Sequence, residues 1–267
     1  MKSIKIYLSL LLVAVLLITC TDEANDFAVQ NQSPFNLDTG VAGSYARFMI
    51  VDDFLYIVDN QDIRTYSLDN AEEPTLVNEQ NIGERIESIF HREGKLFIGS
   101  GIGLFIYTIQ ENGIPEFTST FSYDVFPILP CDPVVANATH AFVTLNSSTI
   151  STVCRATVTN QINQLNIFDI TDISNPILIN EIQMFRPKGL GLDGNTLFVC
   201  DDDMGLKVFD VSDVLDVKLI AHFDTFNAYD VIPLGGLLLV VGPENVYQFD
   251  YTDLDDIQLL STIQIEA

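Results

Sequence analysis

Short apolar segments recur along this chain at a nearly regular spacing. Each has four or five residues dominated by Leu, Ile, Val and Phe, and the intervals from 55 to 96 and from 197 to 238 are both 41 residues. A repeat of that length made of short strands predicts similar sheets packed side by side. The five segments occupy residues 55–59, 96–100, 141–144, 197–201 and 238–242.

Each repeat predicts four strands joined by tight turns. In the fourth repeat, strands near 188–192, 196–200, 206–211 and 217–223 are separated by turn residues at 193–195 and 203–205. Glycine and asparagine at such turns supply the positive φ that tight hairpins need. The same order of strands and turns fits residues 87–122 in the second repeat.

The second and third strands of each repeat are apolar at consecutive positions. Continuous apolar strands predict cover on both faces, whereas a β-sandwich strand has one face in water. A blade between two neighbours meets this condition. We therefore predict an all-β fold, a single β-propeller over residues 45–267 with five blades of four antiparallel strands. Because the chain begins with a first strand and ends with a fourth, we expect closure by packing without strand exchange.

A second motif follows the third strand of three repeats. Phe168-Asp169, Phe209-Asp210 and Phe249-Asp250 each precede a Thr or Ser and a further Asp. Side chains of this kind bond nearby backbone amides and shape turns. Their recurrence in three blades favours a structural turn over a catalytic role.

The Leu-Phe/Tyr-Ile/Val strands and the Phe-Asp-x-Ser/Thr-Asp turns resemble those of the LVIVD-repeat β-propeller family. The resemblance covers residues 46–267, and segments 131–135, 189–195 and 228–233 are similar to a subset found in lipoproteins of Bacteroidetes. It implies the propeller fold and no established activity.

The N-terminus predicts export and lipid anchoring. Residues 1–20 form a signal segment with Lys2 and Lys5 before an apolar run at 7–18, which is shorter than the roughly 20 residues of a membrane-spanning helix. Leu17-Ile18-Thr19-Cys20 resembles a bacterial lipobox, so Cys20 is the predicted lipidation site and an ordinary secretory signal the alternative. Residues 21–44 predict a flexible tether, whose acidic start resembles a surface-export signal. These features place the protein at the outer membrane, on either leaflet, held by its lipid alone.

Charge and cysteine content narrow the function classes. The whole chain carries 12 basic and 37 acidic residues, a balance that repels phosphate backbones and excludes nucleic acid as a partner. In an oxidising compartment Cys131 and Cys154 predict a disulfide, while Cys200 lies in a strand and predicts a buried apolar role. We expect a monomer with no cofactor.

A polar ring is predicted at one mouth of the central channel, where the first strand of each blade begins. It could bind a small ligand or a cation, or it could surround a water-filled axis. Asp201 and Asp203 are weak candidates for a calcium loop, against a solvated hairpin turn. The ring residues are Arg47, Glu87, Asp132, Lys188, Tyr229 and Asp230.

The sequence predicts binding rather than catalysis. Its three histidines lack metal-ligand spacing, and no nucleophile or phosphate-loop motif is present. The prediction is a non-catalytic cell-envelope module that binds or assembles with a protein or glycan through the long loop at 146–161. The alternatives are a hydrolase or lyase using the channel, with calcium as an option, and a purely structural scaffold.

Overall fold

The computed structural model describes residues 43–123, 133–147 and 162–265, and in this part every regular element is a β-strand. The strands form five sheets of four antiparallel strands, each sheet built from four consecutive strands. The predicted five blades, and the absence of strand exchange between them, are confirmed for these residues. Blade 1 holds β1 (Phe48–Val51), β2 (Phe54–Val58), β3 (Asp62–Ser67) and β4 (Thr75–Asn81); blade 2 holds β5 (Ile86–Arg92), β6 (Lys95–Ser100), β7 (Gly103–Ile109) and β8 (Pro115–Ser122); blade 3 holds β9 (Val134–Ala136), β10 (His140–Asn146), β11 (Asn163–Asp169) and β12 (Ile177–Gln183); blade 4 holds β13 (Leu190–Asp193), β14 (Thr196–Cys200), β15 (Leu206–Asp210) and β16 (Lys218–Phe223); blade 5 holds β17 (Asp230–Leu234), β18 (Leu237–Val241), β19 (Asn245–Asp250) and β20 (Gln258–Gln264).

A β-bulge recurs between the third and fourth strands of all five blades. In each case the register shifts just before an aromatic residue of the third strand. A bulge bends its strand and increases the local right-handed twist. The repeated aromatic position therefore marks the point where the third strand of each blade bends. The five aromatic residues are Tyr66, Tyr107, Phe168, Phe209 and Phe249.

The aspartate that follows this aromatic residue shapes a turn, as the sequence predicts. Asp169 Oδ1 accepts a hydrogen bond from Thr171 N at 2.8 Å, and Asp210 accepts one from Ser212 N at 2.9 Å. The side chain and amide of Thr171 stabilise the ionised carboxyl of Asp169, and the amide and side chain of Ser212 stabilise that of Asp210, so the pKa of both aspartates is lowered. The repeated carboxylates therefore serve the fold.

Neighbouring blades are joined by hydrophobic clusters. One cluster lies between blades 1 and 2, and others lie between blades 2 and 3, 3 and 4, and 4 and 5. The second strands β6, β10 and β14 are buried at every position after the first. The prediction of strands covered on both faces is confirmed for the second strands of these three central blades.

The same prediction is wrong for the two outer blades. On β1, Met49 and Val51 pack toward blade 2, but Phe48 and Ile50 on the other face are 61% and 45% exposed. Burial alternates along β2 and β18 as well. Within residues 43–123, 133–147 and 162–265, no hydrophobic cluster joins blade 5 to blade 1, and apolar packing does not close the ring there.

We call these two incompletely covered sheet faces, the outer faces of blades 1 and 5, the open seam. The register places on the blade 1 face side chains of Phe48, Ile50, Leu55 and Ile57, and on the blade 5 face side chains of Ile232, Leu239, Val241 and Val246. The corresponding residues of blade 4 are fully buried against blade 5. They are Phe198, Cys200 and Leu206. The open seam is thus as apolar as the interfaces between blades, but no hydrophobic cluster closes it.

Several predictions lie outside the described residues. They concern Cys20 and the division at residues 20 and 21, the Cys131–Cys154 disulfide, Asp132, and all but the first two residues of the 146–161 loop. The part of the chain that is described contains no helix long and apolar enough to cross a membrane.

Candidate functional site

The first strands of all five blades converge on one cavity of about 830 Å³, which we call the axial chamber. Its walls are apolar because alternate residues of these strands point inward between neighbouring blades. The cavity falls within the roughly 300–1,000 Å³ typical of small-molecule sites. The apolar wall residues from the five first strands are Met49, Val51, Phe90, Val135, Leu190, Leu192, Val231 and Pro233.

The chamber opens where the first strands end. Asp52 lies in the turn after β1, Arg92 and Glu93 lie at the end of β5, and Glu111 lies in the turn after β7; all four line the cavity. The predicted polar ring is at the opposite end, where these strands begin. None of its five described members, Arg47, Glu87, Lys188, Tyr229 and Asp230, lines the chamber.

Two members of the predicted ring meet near blades 1 and 2. Arg47 is exposed, and its guanidinium donates to the backbone oxygen of Ile86 at 3.0 Å and to that of Glu87 at 3.3 Å. Arg47 therefore ties the entry of β1 to the entry of β5.

Three other members meet near blades 4 and 5. The Lys188 ammonium lies 3.6 Å from the centre of the Tyr229 ring, a cation–π contact, and 3.3 Å from an Asp202 carboxylate oxygen. Tyr229 precedes Asp230, the first residue of β17. Lys188 is thus held by an aromatic face and a carboxylate at the junction of these blades.

Asp230 is partly buried at this junction. Its Oδ1 accepts hydrogen bonds from Ser44 Oγ at 3.2 Å and from Val231 N at 3.0 Å, and Ser44 Oγ also accepts one from Leu190 N. Gly189 makes room for the carboxylate, since a Cβ at that position would overlap it. Burial disfavours the ionised form and raises the pKa of Asp230 to about 6, although the hydrogen bonds oppose this shift.

This raised pKa predicts a pH-dependent stability. An unfolded aspartate titrates near pH 3.9, so between about pH 4 and 6 the folded chain binds more protons through Asp230. The contribution of Asp230 to the free energy of unfolding therefore falls as the pH rises through this window and is constant above it. We expect Asp230→Asn to remove that fall. The free energy of unfolding of the variant, relative to that of the parent, should then rise by up to about 3 kcal/mol between pH 4 and pH 7. Solvent access reduces this figure.

Urea unfolding of parent and variant at pH 4 to 8 measures the difference. Asp250→Asn is a matched control of opposite sign, because hydrogen bonds to Thr252 lower the pKa of Asp250, so its carboxylate stabilises the fold at neutral pH and loses that effect in acid. A difference between Asp230→Asn and the parent that stays constant from pH 4 to pH 7 would contradict the prediction.

The weak calcium candidates lie in a cluster of ion pairs. The Asp201 carboxylate is fully buried and accepts hydrogen bonds from the backbone amides of Phe185 and Arg186, and it pairs with Lys207 at 2.5 Å. Asp203 is half exposed and pairs with Arg186. Cations and amides of the protein thus already occupy these oxygens. Among the described residues, no group of three or more His, Cys, Asp or Glu is arranged to hold a metal ion.

Sequence reasoning missed the axial chamber and the open seam. The alternate apolar positions of β13 and β17 carried a signal for the chamber, because Leu190, Leu192, Val231 and Pro233 all line it. Cys200, predicted to be buried, is fully enclosed, and burial raises the pKa of its thiol. His91 lines the chamber, and burial lowers its pKa.

Comparisons with known proteins support the fold. No family model matches the chain, and no curated protein matches its sequence. A functionally unknown protein from Desulfotomaculum acetoxidans matches with a TM-score of 0.62 and 14% identity, over 85% of this chain and 69% of that one. A periplasmic gluconolactonase from Pseudomonas aeruginosa matches with 0.58 and 13%, over 82% and 68%. The WD40 domain of Neurospora crassa Pan2 matches with 0.58 and 7%, over 84% and 66%.

At such identities the likeness is one of fold. Together with the five four-stranded sheets and the convergent first strands, it defines the class of this protein: a β-propeller of five blades.

Proposed function

We propose that this protein is a lipid-anchored, non-catalytic module of the cell envelope that assembles with a protein partner at the open seam. Lipidation at Cys20, export to the outer membrane and membership of the LVIVD-repeat family are parts of the proposal, supported by the sequence motifs. The observation that carries the binding role is the pair of apolar sheet faces on blades 1 and 5.

The seam residues are apolar to the same degree as true blade interfaces. Leu55 and Ile57 correspond to Leu96 and Ile98 in blade 2 and to Leu197 and Val199 in blade 4, all fully buried, yet both remain partly exposed. Exposed apolar faces of this kind are typical of protein interaction sites. A glycan would instead need polar groups among aromatic rings, so the seam favours a protein over a glycan.

The chemistry of the partner follows from the surroundings of the seam. It should present an apolar, sheet-like surface that replaces a missing blade neighbour. Because the chain has 37 acidic against 12 basic residues, the partner should carry basic side chains around that surface, which speeds and orients association. Asp59 and Glu79 on blade 1 are acidic groups of this border, next to Arg64.

Site-directed photocrosslinking in intact cells tests the proposal. A photoreactive amino acid at Leu55 or at Leu239 is expected to capture the same envelope protein, because both side chains face the seam. The matched control is Ile177 on β12, which is 52% exposed on the outer edge of blade 3 and should give no adduct with that protein.

The captured partner is then purified and titrated against the parent and variants. Leu55→Asp with Leu239→Asp is expected to weaken binding at least about 30-fold, in line with the loss of buried anchor residues, while Leu219→Asp on the exposed β16 leaves it unchanged. Adducts formed only within one chain, through residues 21–42, or only between two copies would overturn the proposal, and so would a lack of adducts.

A hydrolase or lyase remains the second prediction. The propeller fold shared with the gluconolactonase supports testing lactone hydrolysis. Turnover that is lost in a chamber variant such as Leu192→Trp but retained in the seam variant Leu55→Asp with Leu239→Asp would favour catalysis over assembly.

A further inference from the structure

The axial chamber combines apolar walls with an acidic opening. Six wall residues, Met49, Val51, Phe90, Val135, Leu190 and Val231, come from five different blades. Such walls bind an apolar body by removing its surface from water, at roughly 25 cal/mol per Å². The size of the cavity, about 830 Å³, suits a small molecule and not a folded partner.

Among the residues that line the chamber, the charged side chains lie at the opening. The exception is His91, whose imidazole has a lowered pKa. Arg92 pairs with its neighbour Glu93 at 3.0 Å, so these two charges offset each other. Asp52 and Glu111 are exposed, and no described basic side chain forms an ion pair with either. The opening therefore presents two unneutralised carboxylates above an apolar cavity.

We propose that the axial chamber binds a small cationic amphiphile, with its hydrocarbon body among the five first strands and its ammonium or amine group beside Asp52 and Glu111. The strongly acidic surface of the whole protein adds to the attraction of such a ligand. This site is separate from the open seam, because the seam residues Leu55, Ile57, Leu239 and Val241 do not line the chamber.

Calorimetric titration with three probes of one chain length tests the proposal: dodecyltrimethylammonium, dodecanoate and 1-dodecanol, each below its aggregation concentration. The cation is expected to bind one per protein and about tenfold more tightly than the anion, since two carboxylates near one charge contribute on the order of 1–2 kcal/mol at an exposed opening. Dodecanol should fall between them.

Variants locate the site. Asp52→Asn with Glu111→Gln should bring the three affinities close together, whereas Asp216→Asn with Asp224→Asn, which changes the net charge equally on distant exposed turns, should preserve the cation preference. Asparagine suits position 52, where φ is +49°. Leu192→Trp narrows the chamber and should weaken all three probes.

Three results would overturn the proposal: no saturable binding of any probe, a cation preference that survives neutralisation of Asp52 and Glu111, or loss of binding in the Leu55→Asp, Leu239→Asp variant. The last result would locate the probes in the seam. Failure to find a seam partner leaves these titrations unaffected, so the two proposals fail separately.

Discussion

Gly205→Ala is expected to lower the free energy of unfolding by about 2–5 kcal/mol. Gly205 lies in the turn between β14 and β15 with φ at +70°, and a Cβ there would overlap the carbonyl oxygen of Phe223 at the end of β16. An L-residue in this conformation costs about 1–2 kcal/mol. The overlap adds the cost of moving backbone, which cannot rotate away as a side chain can.

Gly194→Ala is the matched control. Gly194 also has a positive φ, +57°, but a Cβ there meets no atom within 4 Å, so only the conformational cost of about 1–2 kcal/mol remains. Urea unfolding of both variants, extrapolated linearly to water, gives the comparison. Equal losses at the two positions would show that β15 and β16 do not approach as closely as the structure places them.

Asp201→Ala is expected to cost about 3–5 kcal/mol, because it leaves the Lys207 ammonium without its carboxylate in a largely buried position. Two backbone amides, those of Phe185 and Arg186, lose their acceptor as well. For a domain of this size the melting temperature should fall by roughly 6–20 °C. Asp203→Ala, which removes a half-exposed ion pair with Arg186, should cost less than about 1 kcal/mol.

A second variant separates the buried charge from other effects of the substitution. Lys207→Met removes the stranded ammonium, so Asp201→Asn combined with Lys207→Met should recover part of the loss. Addition of a calcium chelator should leave the melting temperature of the parent unchanged. A melting temperature that falls with chelator would instead favour the calcium loop, and similar losses for Asp201→Ala and Asp203→Ala would contradict the buried ion pair.

The blade itself could be predicted because its signals are local. Apolar runs such as Leu96–Ser100, glycine turns and the Phe-Asp-x-Ser/Thr motif act over a few residues. The bulges before Tyr66 and Phe249 show that even the irregular position of the blade repeats with the sequence. At most of the turns, the observed strand ends differ from the predicted ones by one or two residues, because the end of a strand depends on pairing with the neighbouring strand.

The candidate sites were less predictable. Aligning the repeats placed Lys188 and Tyr229 at one level, and the two side chains are in contact, but the alignment could not show that Asp230 turns inward to Ser44, 186 residues away. It also could not show that the chamber opens at the other end, near Asp52 and Glu111, because a repeat alignment gives the level of a residue and not the direction of its side chain.

The sequence by itself determined the repeating unit of this protein: four antiparallel strands and their turns, set by hydrogen bonding and apolar patterning within about 41 residues. Only the tertiary structure decided what each apolar face meets. Blade 1 and blade 5 carry the same pattern as the central blades, yet their outer faces are only partly covered by the described residues, because burial depends on which blade comes next around the axis and not on the residues of the blade itself.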